Sequence, residues 1–208
     1  MDYVAHSHRH GMTLFNAEEP FASLWTEVVT AIESISEEEI AARFESSSRV
    51  SKSLSAIINT LLHERLVVLG WADESPIFAD ASYLTGDKGR FRLDFAKDVV
   101  SVEVAFNHGE AAAWNLLKPV LASELNHVQK AIQTQAGIII TATEEMKAAG
   151  GFDSAVGTYE KYVNYLRPLS NVLTVPLAVV GLKAPRRFRV VHLAEGTKKI
   201  GHVEWIEL

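Results

Sequence analysis

The chain has no cysteine among its 208 residues. That excludes a disulfide scaffold and a thiolate zinc site, and it suits a reducing cytosol. No apolar run is long enough to span a bilayer. The opening MDYVAHSHRHG lacks the apolar core of a signal peptide, so the expected location is cytoplasmic. There is no glycine-rich phosphate loop, no H-E-x-x-H and no G-x-S-x-G, so nucleotide hydrolysis, zinc proteolysis and serine-hydrolase chemistry have no support. No repeat, low-complexity segment or linker divides the chain, and a single domain over residues 1–208 is expected. Hydrophobic residues make up 48% and charged residues 22%, which is enough apolar material for a packed core.

Net charge is also short on the positive side, at −6. This does not mark a nucleic-acid binder, but binding depends on where charges sit. The segment from Glu18 to Glu45 is almost wholly acidic among its charged residues, and Lys183 to Lys199 is strongly basic. Such a division can present one cationic surface to phosphates. An ordinary solvated strand pair reads the same way.

Periodicity predicts an α/β fold, a central mixed sheet flanked by helices. Tyr3 to His10 alternates as a strand. Leu24, Trp25, Val28, Val29 and Ile32 have the spacing of an amphipathic helix over Phe21 to Ile35. Ser36 followed by three glutamates is a helix start, with serine as cap and acids in the first turn. Ser51 to Leu69 is a longer helix ended by Gly70. Ile77-Phe78 is expected as strand. Glu110 to Leu117 is expected as helix, kinked or restarted at Pro119 and continuing over Leu121 to Thr134. AGIIITAT (Ala136 to Thr143) and Val175 to Leu182 read as buried strands. Between them, Glu144 to Leu166 is mostly helix, broken near Gly150-Gly151. Phe188 to Leu193 and His202 to Ile206 close a hairpin about Glu195-Gly196.

The chemistry concentrates in RFRLDFAKDVVSVEVAFNH, from Arg90 to His108. It reads as a β-hairpin with Lys97-Asp98 as the turn. Ser101, Glu103, Ala105 and Asn107 share one face of the second arm, and Val100, Val102, Val104 and Phe106 the other. Asp94 then sits opposite Ser101 and diagonal to Glu103, roughly 7–8 Å away at the backbone. Two carboxylates at that distance can converge on one Mg²⁺, an oxygen-seeking ion that keeps several waters, with the Val104 carbonyl as a further ligand. Acids on a central strand need such a reason, because unpaired buried charge is costly. Two acids on a solvated hairpin face are the plainer alternative. His6, His8 and His10 share a face of the first strand, and three alternating histidines could hold zinc or nickel. Polar edge-strand residues are the plainer alternative there.

Asp94 followed by VSVEVAFN resembles the PD-(D/E)xK nuclease core and, more narrowly, the BglII/BstYI family of type II restriction endonucleases. The resemblance extends to YVAHSHRHG, LVVLGW, EVAFNHGEAAAWNLLKPVLASELNHV, GIIITAT and VPLAVVGL. It implies a restriction-endonuclease-like core and Mg²⁺-dependent hydrolysis of phosphodiesters in a palindromic duplex site, built on GATC in the best-known members. Asp94 and Glu103 are the implied metal ligands, and Mn²⁺ can substitute. It further implies a homodimer and a cognate DNA methyltransferase in the same system. The next residue on the metal face, ordinarily Lys, Glu or Gln, is Ala105. Alanine can neither polarise water nor bind metal. Asn107 is the nearest replacement, and Lys118, Glu64 or Asn59 could reach in from flanking helices. If nothing replaces it, the alternative is a DNA-binding protein of nuclease fold that has lost cleavage. Base-reading contacts are expected after GIIITAT, with Thr141, Thr143 and Lys147 as candidates. The two threonines equally suit a strand end and a helix cap.

Overall fold

A computed structural model describes residues 1–47, 52–84, 91–124, 127–195 and 198–206. Six strands form one mixed sheet in the order β1-β6-β5-β4-β3-β2. They are β1 (Tyr3–His8), β2 (Ala72–Pro76), β3 (Arg92–Lys97), β4 (Val100–Val104), β5 (Ala136–Ala142) and β6 (Leu177–Leu182). The central β4-β5-β6 run is parallel, and β1, β3 and β2 join antiparallel. β5 and β6 are buried throughout, as strands covered on both faces must be.

Helices cover the two faces. On one lie α1 (Gly11–Ala17), α2 (Phe21–Glu33), α3 (Glu37–Ser46) and α4 (Ser55–Val68). Leu24, Val28, Ile32, Leu61 and Leu66 pack there on Val100, Val102, Ile138 and Val180. The Ser36 hydroxyl accepts from the Glu39 N–H at the start of α3. Gly70, at φ 85°, ends α4 in the left-handed conformation that glycine tolerates. On the other face lie α6 (Ala112–Ser123) and α8 (Tyr159–Leu166), against Ala105, Ile139 and Val179. The short α5 (Ala81–Leu84) precedes α6 in the chain, and the short α7 (Glu144–Ala149) comes between α6 and α8. A separate ribbon pairs β7 (Phe188–Glu195) with β8 (Lys198–Trp205). No helix among the described residues is long and apolar enough to cross a membrane.

Several expectations are corrected. The strand near Ile77-Phe78 lies earlier, at Ala72–Pro76, and Phe78 makes only an isolated bridge to Lys130. The helix expected over Leu121 to Thr134 is not found at 127–134. α6 stops at Ser123, and Glu124 is extended. Pro119 is carried inside α6. Its ring lies against Gly137, where a side-chain carbon would sit 2.6 Å from the Pro119 Cβ, so glycine lets the helix lie close on the sheet. Helix is also absent between α7 and α8, a longer break than Gly150-Gly151 alone suggests. Ser51 and Gly196 lie outside the described residues.

The three arginines of the basic segment are paired with acids. Arg186 pairs with Asp2, Arg187 with Glu38, and Arg189 with Glu204 at 2.5 Å. The acidic and basic segments partly neutralise each other across the fold. His6 and His8 lie on the edge strand β1, but His10 has left it in a left-handed conformation, φ 59°. His8 Nε2 is bonded to the Leu173 carbonyl. The three histidines do not gather as a metal cluster.

Candidate active site

The hairpin register differs from the sequence expectation by two residues. Lys97 pairs with Val100 and Phe95 with Val102. The turn is therefore Asp98-Val99, with Asp98 at φ 47°, the positive φ a two-residue hairpin turn asks for. Lys97 is held in the strand by tertiary bonds, its ammonium 2.7 Å from both Glu27 carboxylate oxygens and 2.8 Å from the Leu69 carbonyl. Extending the register by one pair sets Asp94 directly across from Glu103, where a diagonal had been expected.

Around this pair the backbone ladder gives way to side-chain bonds. The Val104 N–H donates to Asp94 Oδ2 at 2.7 Å, and the Asp94 N–H points to Glu103 Oε1 at 3.4 Å. The Glu103 side chain is 1% exposed. Lys118 descends from α6, with its ammonium 2.5 Å from Glu103 Oε2 and 3.8 Å from Asp94 Oδ1. It bridges the two carboxylates and is itself buried. Burial, then the Asp94 charge, pushes the Glu103 carboxyl up to about 8, against the pull of Lys118. Burial also raises Asp94, opposed by Lys118 and by the Val104 N–H.

The cluster opens into a cavity of about 240 Å³ whose lining includes Asn59, His63, Asp73, Glu74 and Asn107. Four carboxylates face it, against one ammonium and one imidazole. A shallower hollow along α4 shares Asn59, Val104 and Asn107 and adds Ser55 and Ala56. Two other hollows lie elsewhere, of about 280 Å³ beneath Met1 and of about 480 Å³ beside His6 and His8. Neither brings a buried carboxylate, a half-buried one and a buried ammonium together as this one does.

The remaining candidate residues divide clearly. Asn59, Asn107 and Lys118 border the cavity. Glu64 does not: both its oxygens bond the Arg43 guanidinium, at 2.6 and 2.8 Å, in a network on the helical surface. Ala105 is 1% exposed and walled in by Ala112, Leu116 and Tyr162, so its position has no opening to the cavity. Thr141 is fully buried, its hydroxyl donating to the carbonyls of Ala105 and Gly157. Thr143 caps α7, accepting from the Met146 N–H and donating to the Leu182 carbonyl. Both threonines are committed inside the protein and present no hydroxyl to a base edge. The Lys147 ammonium is bonded to the Val156 carbonyl at 3.1 Å and keeps 18% exposure.

Three features were missed from sequence. His63 Nε2 lies 2.9 Å from Asp73 Oδ2, the ring resting on Phe95. Asn115, one helical turn before Lys118, donates through Nδ2 to Tyr162 Oη at 2.7 Å and to Asn107 Oδ1 at 3.1 Å. The N-x-x-K spacing in α6 was the available signal, because residues three apart share a helix face. Tyr162 gave none, being distant in the chain.

Among the described residues, no three His, Cys, Asp or Glu side chains form a ready-made metal cluster. The donors at hand are hard oxygens in a cavity with surplus negative charge. Room for several waters, at roughly 30 Å³ each, suits an ion that keeps part of its hydration shell, as Mg²⁺ does. The residues present therefore fit Mg²⁺.

A family model described as restriction endonuclease BglII/BglIII matches residues 3–182. No curated protein matches the sequence. Among solved structures, restriction endonuclease BglII complexed with a DNA 16-mer superposes with a TM-score of 0.67 at 19% identity, over 99% of this chain and 100% of that one. Free BglII superposes at 0.60 and 18% identity, again over 99% and 100% of the two chains.

Proposed function

Because the chain belongs to the BglII/BglIII restriction endonuclease family, we propose that it is a type II, Mg²⁺-dependent, site-specific deoxyribonuclease. It hydrolyses phosphodiester bonds in a palindromic duplex site, with GATC-centred sequences the first to test. The observation that carries this reading is the Asp94–Glu103 pair held by Lys118 at the mouth of one polar cavity.

Asp94 and Glu103 would hold the ion, with the Val104 carbonyl as the third protein oxygen. Mn²⁺ serves in place of Mg²⁺, since the donors are carboxylate and carbonyl oxygens. When bound, the ion supplies positive charge that favours hydroxide over water and offsets the charge of the phosphate. Everything else is done by the chain's own groups. Glu103 keeps its oxygens aimed by two contacts, to Lys118 and to the Asp94 N–H. Lys118 supplies the positive hydrogen-bond donor that Ala105 lacks. Its three hydrogens can serve a carboxylate, the attacking oxygen and a phosphate oxygen together. Asn59 and Asn107 add neutral donors along the wall where DNA would lie. Of the candidates Thr141, Thr143 and Lys147, only Lys147 retains exposure, and we carry it forward as a phosphate contact.

BglII is seen on a DNA 16-mer, and we assign duplex DNA to this chain as well. Two-fold symmetry in the site would be matched by a homodimer of this single catalytic domain. A cognate methyltransferase would protect the host genome, and the enzyme would act in the cytoplasm. Ala105 favours one second reading, a nuclease fold that binds DNA without cutting it.

Incubation with unmethylated phage and plasmid DNA in Mg²⁺ or in EDTA separates the two. We expect discrete fragments in Mg²⁺ and none in EDTA. Intact DNA across a broad panel counts against the nuclease reading. Tight, salt-sensitive retention of uncut duplex would favour the second.

The raised Glu103 carboxyl makes a prediction for the metal-free protein. Between its unfolded value near 4.5 and its folded value of about 8, the folded state retains a proton that the unfolded chain has released. Stability contributed by this group therefore falls as pH rises through that window. Thermal melts in EDTA should show Tm dropping more for wild type than for Glu103→Gln between pH 5 and pH 8, by about 2–4 °C for each kcal/mol of this linkage. Mg²⁺ should restore wild type at pH 8 by binding only the folded state. Parallel slopes for the two proteins would remove Glu103 as the group responsible.

A further inference from the structure

Asn115 and Tyr162 are buried polar residues that no reading above assigns a task. Asn115, on α6, is 3% exposed and borders the cavity, and Tyr162, on α8, is fully buried. Buried polar groups are costly unless bonded, and here the bonding has a direction. The Asn115 amide nitrogen carries two hydrogens. One goes to Tyr162 Oη and the other to Asn107 Oδ1. With its carbonyl end taken, Asn107 has only its own amide nitrogen left to turn toward the cavity that it lines. Its backbone is pinned as well, the Asn107 carbonyl accepting from the Gly157 N–H at 3.1 Å.

This polarity suits the cavity. Asp73, Glu74, Asp94 and Glu103 already face it, and a phosphate entering there meets more negative than positive charge. A neutral donor on the wall favours an anionic oxygen. A carbonyl oxygen at the same place would repel it.

We propose that Tyr162 and Asn115 are positioning residues that turn the Asn107 amide so that its N–H groups donate to a non-bridging phosphate oxygen of bound DNA. This rests on the nuclease reading and gives Asn107 a role distinct from metal binding or water activation. Asn115 sits three residues before Lys118 on α6, so one helix face sets both the ammonium at the acid pair and the amide at the phosphate.

The test is DNA affinity in Ca²⁺, measured with linear plasmid DNA, alongside Mn²⁺ titration of the protein alone. Asn107→Ala should raise the Kd for DNA about tenfold, the usual value of a hydrogen bond to a charged group. Asn115→Leu, which adds no charge to the cavity, should raise it about threefold, because nothing then fixes which end of the Asn107 amide faces the cavity. Tyr162→Phe should raise Kd about threefold, by freeing one Asn115 hydrogen. All three should bind Mn²⁺ as wild type does. In an Asn107→Ala background, Asn115→Leu should cost nothing further. A merely structural role would still cost there. Wild-type affinity in Asn115→Leu and Tyr162→Phe, or an undiminished Asn115→Leu effect in the Asn107→Ala background, overturns the proposal. If Asn115→Leu fails to fold, Tyr162→Phe alone and combined with Asn107→Ala decides it. Wild-type protein that binds DNA but never cuts it in Mg²⁺ sinks the hydrolytic reading and leaves these comparisons decisive. Wild-type protein that binds no DNA overturns both.

Discussion

Asp94→Asn is expected to lower Mg²⁺-dependent cleavage by about 10³-fold or more, the rate equivalent of several kcal/mol of charge stabilisation. The substitution changes shape little. An amide oxygen at the Asp94 Oδ2 position still accepts from the Val104 N–H, so the hairpin keeps its side-chain bond. The change removes one of two carboxylates that together leave the cavity with surplus negative charge. It also removes the neighbour that, after burial, does most to raise Glu103. Asp94→Asn should therefore melt no lower than wild type in EDTA at pH 8, and should lose the Mg²⁺-induced rise in Tm. Single-turnover cleavage of plasmid DNA, with melts run beside it, checks both halves. Cleavage at or near the wild-type rate would remove Asp94 from the machinery.

Lys118→Met is expected to cost about 10²–10⁴-fold in cleavage, the range for a positioned proton donor or acceptor. Methionine keeps most of the side-chain volume without the charge. The loss should appear in the rate of the chemical step, with the Kd for DNA in Ca²⁺ within a few-fold of wild type. Metal affinity should hold or rise, because the ammonium that bridges Asp94 and Glu103 competes with a cation for the same oxygens. Mn²⁺ titration reads that directly. Restoring a lysine at the empty strand position should not rescue the variant. Ala105 is packed against Ala112, Leu116 and Tyr162, and a long side chain there overpacks the interface. Full activity in Lys118→Met would mean that Ala105 is replaced by nothing or by another group.

Much of the architecture was legible because local and global preferences agree. The Ser36 cap, the Gly70 stop and the inward rows of α2 and α4 depend on residues close in the chain. The β-branched runs of β5 and β6 could hardly be anything but buried strands. The hairpin register was misread because its turn depends on distant partners. Lys97 resembles a turn residue until Glu27 and the Leu69 carbonyl hold it in β3. That shift sets Asp94 across from Glu103. The end of α6 was misread for a similar reason. Its apolar pattern runs past Ser123, and the proline that seemed a breaker is accommodated by Gly137.

At the site, the sequence singled out Asp94, Glu103, Asn107, Asn59 and Lys118, and the fold brings these five to one cavity. It could not rank Lys118 above Glu64. Both lie on helices at plausible spacing, and only the packing of α6 across β4 and of α3 against α4 tells them apart. Thr141 and Thr143 were ambiguous for a different reason. A hydroxyl at a strand end reads alike whether it caps a helix or meets a base. Tyr162 lies 47 residues from Asn115, and no local pattern joins them.

The most direct test is a crystal of the protein with a short duplex, soaked in Mn²⁺ and measured at the manganese absorption edge. A single anomalous peak should lie between the Asp94 and Glu103 carboxylates, with the Lys118 ammonium moved off Glu103 toward the phosphate. No peak there, with Lys118 still bridging the two acids, would contradict the account.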